Sequence, residues 1–373
     1  MVSPLNSYKI RSFKWLLNGV LIICFFTNIF SQTAYEHGFE VRQKLGFLAA
    51  HRGVMAHLPN STAKAVELSY YLRTRGEKQW HNAYRFPTVG ATLFVGSVGN
   101  NELLGRYMGF YGFAELPLIQ YNKFELNWKF SVGGGYAGKT YDPLLNPKSN
   151  AISSKLNAMI CLGVKGIYRF KSHGITIGLD LTHFSNGSFK VPNYGINLPY
   201  LSVGYVKRIS SEIEAKNRGL THQQFKKWQF GVSGFLSLKE SMPVGGGKSL
   251  VVSSSFFARN FFKQRGGLET SLDIISNQEI KNYEPLVEKS QFSIIQLGIY
   301  TGYLIPFDRF HFVLGMGAYI RDVYKTNTPV YHRLGCRYQF DNGLLLSMNL
   351  KTHFARADYF EYGIGYTFKT KRR

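Results

Sequence analysis

Residues 344–368 read LLLSMNLKTHFARADYFEYGIGYTF. Phe360, Tyr362, Ile364, Tyr366 and Phe368 share one parity, and Glu361, Gly363, Gly365 and Thr367 share the other. Just upstream, Leu344, Leu346, Met348 and Leu350 stand against Ser347, Asn349 and Lys351. Successive side chains of a strand point to opposite faces, so period two sustained this long means strands with one apolar and one polar face. Outward from this stretch the pattern repeats. Segments of roughly ten to fourteen residues alternate in the same way, as membrane strands do, and are separated by turn signals such as Lys-Ser-His-Gly (171–174) and Asp-Asn-Gly (341–343).

About sixteen candidate strands fall between residues 36 and 370, and bacterial membrane barrels use even numbers of tilted strands. The expectation is an all-β, antiparallel transmembrane β-barrel of about 12–16 strands, one domain over residues 33–373. A cylinder of that size has a lumen wide enough for a plug or channel, to which residues 33–60 could contribute. The longer breaks lie at residues 138–153, 209–225 and 277–290. The first reads as an external loop. Residues 209–225 (ISSEIEAKNRGLTHQQF) suit a short helix, on the periplasmic side by strand parity.

Composition agrees. The 373 residues are 45% hydrophobic and 16% aromatic, with 38 Gly, yet mean hydropathy is slightly negative. Past residue 30 no apolar run reaches the ~18 residues a membrane helix needs, which excludes a helical membrane bundle. The formal charge of +23, from 45 Lys and Arg against 22 Asp and Glu, calls for acidic partners. The basic residues are scattered through turns and no nucleic-acid module is present, so nucleic acid is not an expected partner.

At the N-terminus Lys9, Arg11 and Lys14 precede the apolar stretch Trp15–Phe30, and Ser31-Gln32-Thr33-Ala34 follows. That layout predicts a secretory signal peptide over residues 1–32, cleaved near Ser31 or Gln32, and together with the barrel pattern an outer-membrane location in a Gram-negative bacterium. Leu21-Ile22-Ile23 before Cys24 lacks the small residues of a lipoprotein site. Without residues 1–31, which hold three basic and no acidic side chains, the charge is +20. Alternation places the two other cysteines, Cys161 and Cys336, on polar and apolar faces respectively, so they do not pair.

Gly133 to Thr140 (GGGYAGKT) matches the P-loop pattern letter for letter. A P-loop needs a helix after it to present amides to phosphate; here Tyr141-Asp142-Pro143 follows, and the match is set aside as chance.

The chemistry lies in residues 174–207, GITIGLDLTHFSNGSFKVPNYGINLPYLSVGYVK. Ile175, Ile177, Leu179 and Leu181 form an apolar face that His183 and Ser185 continue, and Asn197, Pro199, Leu201, Val203 and Tyr205 share a parity on the next strand. If the apolar face meets lipid, then His183, Ser185 and Asn197 emerge together at one edge of the greasy band. A serine hydroxyl is a weak nucleophile until a base takes its proton, and imidazole titrates near working pH. Two residues apart on one face, His183 and Ser185 lie about 6–7 Å apart along the strand, within side-chain reach. Asn197 could accept the imidazole Nδ1 hydrogen, and Asn186 with the Gly187 backbone could donate to an oxyanion. On spacing alone H-x-S is a frequent triplet, and polar residues at a strand end are ordinary at an interface.

His183-Phe-Ser185-Asn186-Gly187, followed by Pro192-Asn193-Tyr194-Gly195, resembles the lipid A 3-O-deacylase family of outer-membrane barrels. The resemblance is specific over residues 180–205 and looser from about residue 85. It implies Ser185 as nucleophile, His183 as base, Asn186 and nearby backbone as oxyanion site, lipid A or lipopolysaccharide as substrate, and no metal or cofactor. The family's third member is a Glu fourteen residues after the His, and this chain has Asn197 there. In a serine-protease triad the change from Asp to Asn costs about 10⁴ in turnover. The same hairpin is similar to outer-membrane phospholipase A, whose Ser–His–Asn set maps onto Ser185, His183 and Asn197 and implies calcium and dimerisation. A non-catalytic barrel is the third reading. The strand ending in aromatics also resembles the insertion signal of outer-membrane barrels, although the basic tail KTKRR follows Phe368.

Overall fold

A computed structural model describes residues 35–213, 228–241, 243–283, 288–325, 327–354 and 356–368. The expected signal peptide, most of the helix expected within 209–225 and the basic C-terminal tail lie outside the described residues. Alternation becomes strand throughout. The first eight are β1 (Tyr35–Gly46), β2 (Ala63–Thr74), β3 (Thr88–Ser97), β4 (Arg106–Tyr121), β5 (Phe124–Ala137), β6 (Leu156–Phe170), β7 (His173–Ser185) and β8 (Ile196–Arg208). The second eight are β9 (Gln229–Glu240), β10 (Lys248–Lys263), β11 (Gly266–Asn277), β12 (Ile295–Phe307), β13 (Phe310–Arg321), β14 (Val330–Gln339), β15 (Leu344–His353) and β16 (Arg356–Thr367).

All sixteen are antiparallel, but they close as two barrels of eight rather than one wide cylinder. β8 pairs back onto β1, from Gly38 opposite Arg208 to Gly46 opposite Tyr200. β16 pairs onto β9, from Tyr362 opposite Leu236 to Thr367 opposite Gly231. The single barrel over residues 33–373 is therefore corrected to two, and the plug or channel with it: residues 35–46 are a wall strand. Eight strands enclose an interior that side chains can fill. In the first barrel Lys44 reaches Glu67 at 3.0 Å and Asp180 at 2.7 Å, with Arg42 also on Glu67. In the second, Arg333 bonds Glu361 at 2.7 Å and Asp273 at 3.0 Å. All these groups are buried. The polar parity thus points into two small lumens, where buried charges hold because they are paired.

The other parity faces out. Ile175, Ile177, Leu179 and Leu181 on β7, and Tyr362, Ile364 and Tyr366 on β16, are exposed. Cys161 is buried and Cys336 partly exposed, both unpaired. One end carries the two-residue turns Asn122–Lys123 and Lys171–Ser172 and the longer connection 75–87, while the opposite end carries the connections 47–62, 98–105, 138–155 and 186–195. Membrane barrels keep short turns periplasmic and long loops external, so residues 138–155 and the end of β7 lie on the external side. Residues 209–213 leave from the short-turn end.

Polar contacts join the barrels at both ends. On the external side the Glu240 amide donates to Ser188 O at 2.9 Å, the Ser188 hydroxyl to Ala357 O at 3.2 Å, and the Val191 amide to a Glu240 carboxylate oxygen at 2.7 Å. At the other end Lys78 meets Asp308 at 2.8 Å, and Tyr84 stacks on Phe307 with ring centroids 4.4 Å apart.

Candidate active site

The β7–β8 hairpin puts His183 directly opposite Asn197 in the antiparallel register, and Ser185 opposite Ala158 on β6. Directly opposed residues of an antiparallel pair share a face, which is why fourteen residues of sequence become one contact. His183 Nδ1 lies 2.5 Å from Asn197 Oδ1. An amide oxygen only accepts, so this contact assigns the hydrogen to Nδ1 and leaves the Nε2 lone pair free. The Asn197 amide reaches His51 Nδ1 at 3.0 Å. His51 arrives there because β1 closes against β8, which also brings the Ala49 amide to Asn197 O at 2.9 Å.

Ser185 continues the apolar parity, yet it is only 5% exposed. On that outward face residues 186–195 fold over it, and Phe360 of the second barrel packs against Gly187. Two donors converge on its oxygen. Asn193 Nδ2 is 2.9 Å from Ser185 Oγ and the Gly187 amide 3.3 Å. Both bonds are accepted by Oγ, so the hydroxyl proton stays available for transfer. The Asn186 side chain is engaged elsewhere, donating to Ser154 Oγ at 2.8 Å and Lys190 O at 2.9 Å. Its backbone amide donates to Asn193 Oδ1 at 3.2 Å and so orients the side chain that does reach Ser185.

The loop geometry has local causes. Gly187 has φ +58 and Gly195 has φ +78, a region where a side chain is strained. A Cβ at Gly187 would sit 2.4 Å from the Phe360 ring, and one at Gly195 would sit 2.8 Å from His183 Cε1. The 138–155 loop braces the turn: Ile152 and Asn193 form an antiparallel bridge, and the Gly195 amide donates to Ala151 O at 3.0 Å. Asn193 and His51 are contributors that reading for chemistry missed. Asn193 stood in the quoted P-N-x-G turn, but nothing in its spacing tells its side chain from a turn former; His51 carries no signal at all.

Residues 64–206 match the family model described as lipid A 3-O-deacylase (PagL), and residues 226–370 match that of the acyloxyacyl hydrolase C-terminal domain. The chain belongs to the lipid A 3-O-deacylase family. It is therefore a carboxylic ester hydrolase and an outer-membrane β-barrel protein, and the boundary between the two matches falls where the first barrel ends and the second begins. No curated protein matches the chain. Among solved structures, two engineered variants of the Rhodopseudomonas blastica porin are similar at 13% and 12% identity. Each overlap covers 90% of this chain and 100% of the other, with a TM-score of 0.18.

Proposed function

We propose that this deacylase hydrolyses an acyl ester of lipid A, in the outer membrane of a Gram-negative bacterium, by a Ser185–His183–Asn197 mechanism. The observation that carries the reading is the His183–Asn197 contact at 2.5 Å, beside a serine whose oxygen already faces two amide donors. His183 Nε2 takes the Ser185 proton as Oγ attacks the ester carbonyl. The carbonyl oxygen becomes the oxyanion, to which the Gly187 N–H and Asn193 Nδ2–H beside Ser185 Oγ donate in this reading. Collapse expels the sugar alkoxide, which takes the proton back from His183, and leaves an acyl-Ser185. Water, deprotonated by His183, then releases the fatty acid. Asn197 holds the tautomer by accepting from Nδ1 but adds no negative charge, and its amide is in turn held by His51. The lumens are filled with paired charge rather than open, which disfavours a pore.

The test is mass spectrometry of lipid A incubated with the refolded protein and with Ser185→Ala. Loss of one acyl mass with the native protein alone is the expected result. Loss with both proteins removes Ser185 from the mechanism. Asn197 also favours a second reading, since Ser–His–Asn is the set of outer-membrane phospholipase A. Cleavage of glycerophospholipid in calcium with lipid A left intact would select it.

A further inference from the structure

Between the barrels, starting at Asn186 and Gly187, runs a groove of about 610 Å³. Leu156 and Ala158 line one wall; Leu236, Leu238, Met348 and Phe360 of the second barrel line the other. We propose that this groove holds the acyl chain of the ester whose carbonyl sits at Ser185, so that the second barrel forms half of the substrate site. The inference rests on the esterase reading above and adds the subsite that reading lacks.

Position argues for it first. Ala158 is the register partner of Ser185, and Phe360 packs on Gly187, whose amide faces Ser185 Oγ. A chain leaving the carbonyl carbon therefore meets the groove at once. Direction agrees. From Phe360 to Tyr362 and from Leu238 to Leu236 the walls descend two residues each, about 7 Å at the rise of a strand, from the external edge along the exposed apolar faces. An acyl chain with its carbonyl at the interface runs the same way. The volume falls within the roughly 300–1,000 Å³ of small-ligand sites. The gap is also held rather than accidental, because polar contacts fix the barrels at both ends while apolar faces stand apart between them.

The experiment compares the refolded full chain with Leu238→Trp and Met348→Trp on p-nitrophenyl butyrate, octanoate and palmitate. Leu272→Trp, on the exposed face of β11, serves as control. Heat-dependent gel mobility verifies folding of each. The expected result is a palmitate kcat/KM about tenfold lower or worse in both groove variants, the scale on which apolar pockets discriminate chain length, with butyrate within about twofold of native. A palmitate-to-butyrate ratio equal to native in both variants overturns the proposal. If the native protein cleaves no ester, the esterase reading fails and the groove is judged by fluorescence of 11-dansylaminoundecanoate. Saturable binding that Leu238→Trp weakens sustains the groove; binding that is non-saturable, or equal in that variant, overturns it.

Discussion

The two barrels share strand number, handed-down alternation and charge-filled lumens, and they part at one hairpin. The seventh and eighth strands of the first barrel, β7 and β8, are joined by the ten residues 186–195; those of the second, β15 and β16, are only two residues apart in sequence. Each seventh strand carries a histidine near its external end. His183 lies on the outward parity and meets Asn197. His353 lies on the inward parity with Lys351 and is buried, 3.4 Å from Asp358 and 3.2 Å from the Tyr319 hydroxyl. A one-residue change of parity turns a side chain to the other face of the sheet. The first histidine therefore sits where a membrane ester can arrive, while the second belongs to the packing of a lumen. The long loop supplies what a tight turn cannot: Asn193, Gly187 and the cover over Ser185. In the mechanism we propose, the chemistry resides in the first barrel and the second contributes contacts to it.

That asymmetry can be broken most severely at Ser185. Ser185→Ala lowers ester turnover by about 10⁴-fold or more, the scale of losing a nucleophile, measured by released fatty acid, with heat-dependent gel mobility unchanged. Next, Asn197→Ala removes the acceptor that fixes the His183 tautomer and lowers kcat by about 10²–10⁴-fold, the range of acid–base assistance. An unchanged kcat would show that His183 needs no orienting partner. The lumens supply the test of how alike the barrels are as structures. Glu67→Ala removes the carboxylate that Arg42 and Lys44 share in the first, and Arg333→Ala removes the guanidinium that Asp273 and Glu361 share in the second. Each destabilises its barrel by about 3–5 kcal/mol, read from urea unfolding in lipid. Equal effects would extend the likeness from topology to energetics.

Smaller is the effect of cutting the clamp. Glu240→Ala removes the carboxylate that accepts from Val191 at 2.7 Å and from Gly245 at 2.9 Å. Bonds to a charged group contribute about 1.5–3 kcal/mol each, part of which is lost as loop order, so kcat falls about tenfold with KM changing less. A larger fall would mean that the second barrel holds the catalytic loop more firmly than its contacts suggest. Smallest is His353→Gln, expected to leave turnover within about twofold, because that imidazole faces Asp358 and Tyr319 rather than substrate.

Period two by itself determined the run of antiparallel strands between residues 36 and 370, which of their side chains face outward, and that His183, Ser185 and Asn197 share a face at one edge of the apolar band. The H-x-S-N-G hairpin carried enough specific residues to point to the family. These features are legible because side-chain alternation and local spacing are written in consecutive residues. Tertiary structure alone decided that sixteen strands close as two cylinders of eight. Closure depends on which backbone edge β8 and β16 bond, and backbone amides are the same in every residue, so the alternation of β8 reads alike whether it pairs with β1 or β9. The same holds for the cover over Ser185, the arrival of His51 at Asn197 and of Asn193 at the serine oxygen, and the meeting of Gly187 with Phe360. Each joins residues that only barrel closure, loop folding or the packing of two barrels brings within contact.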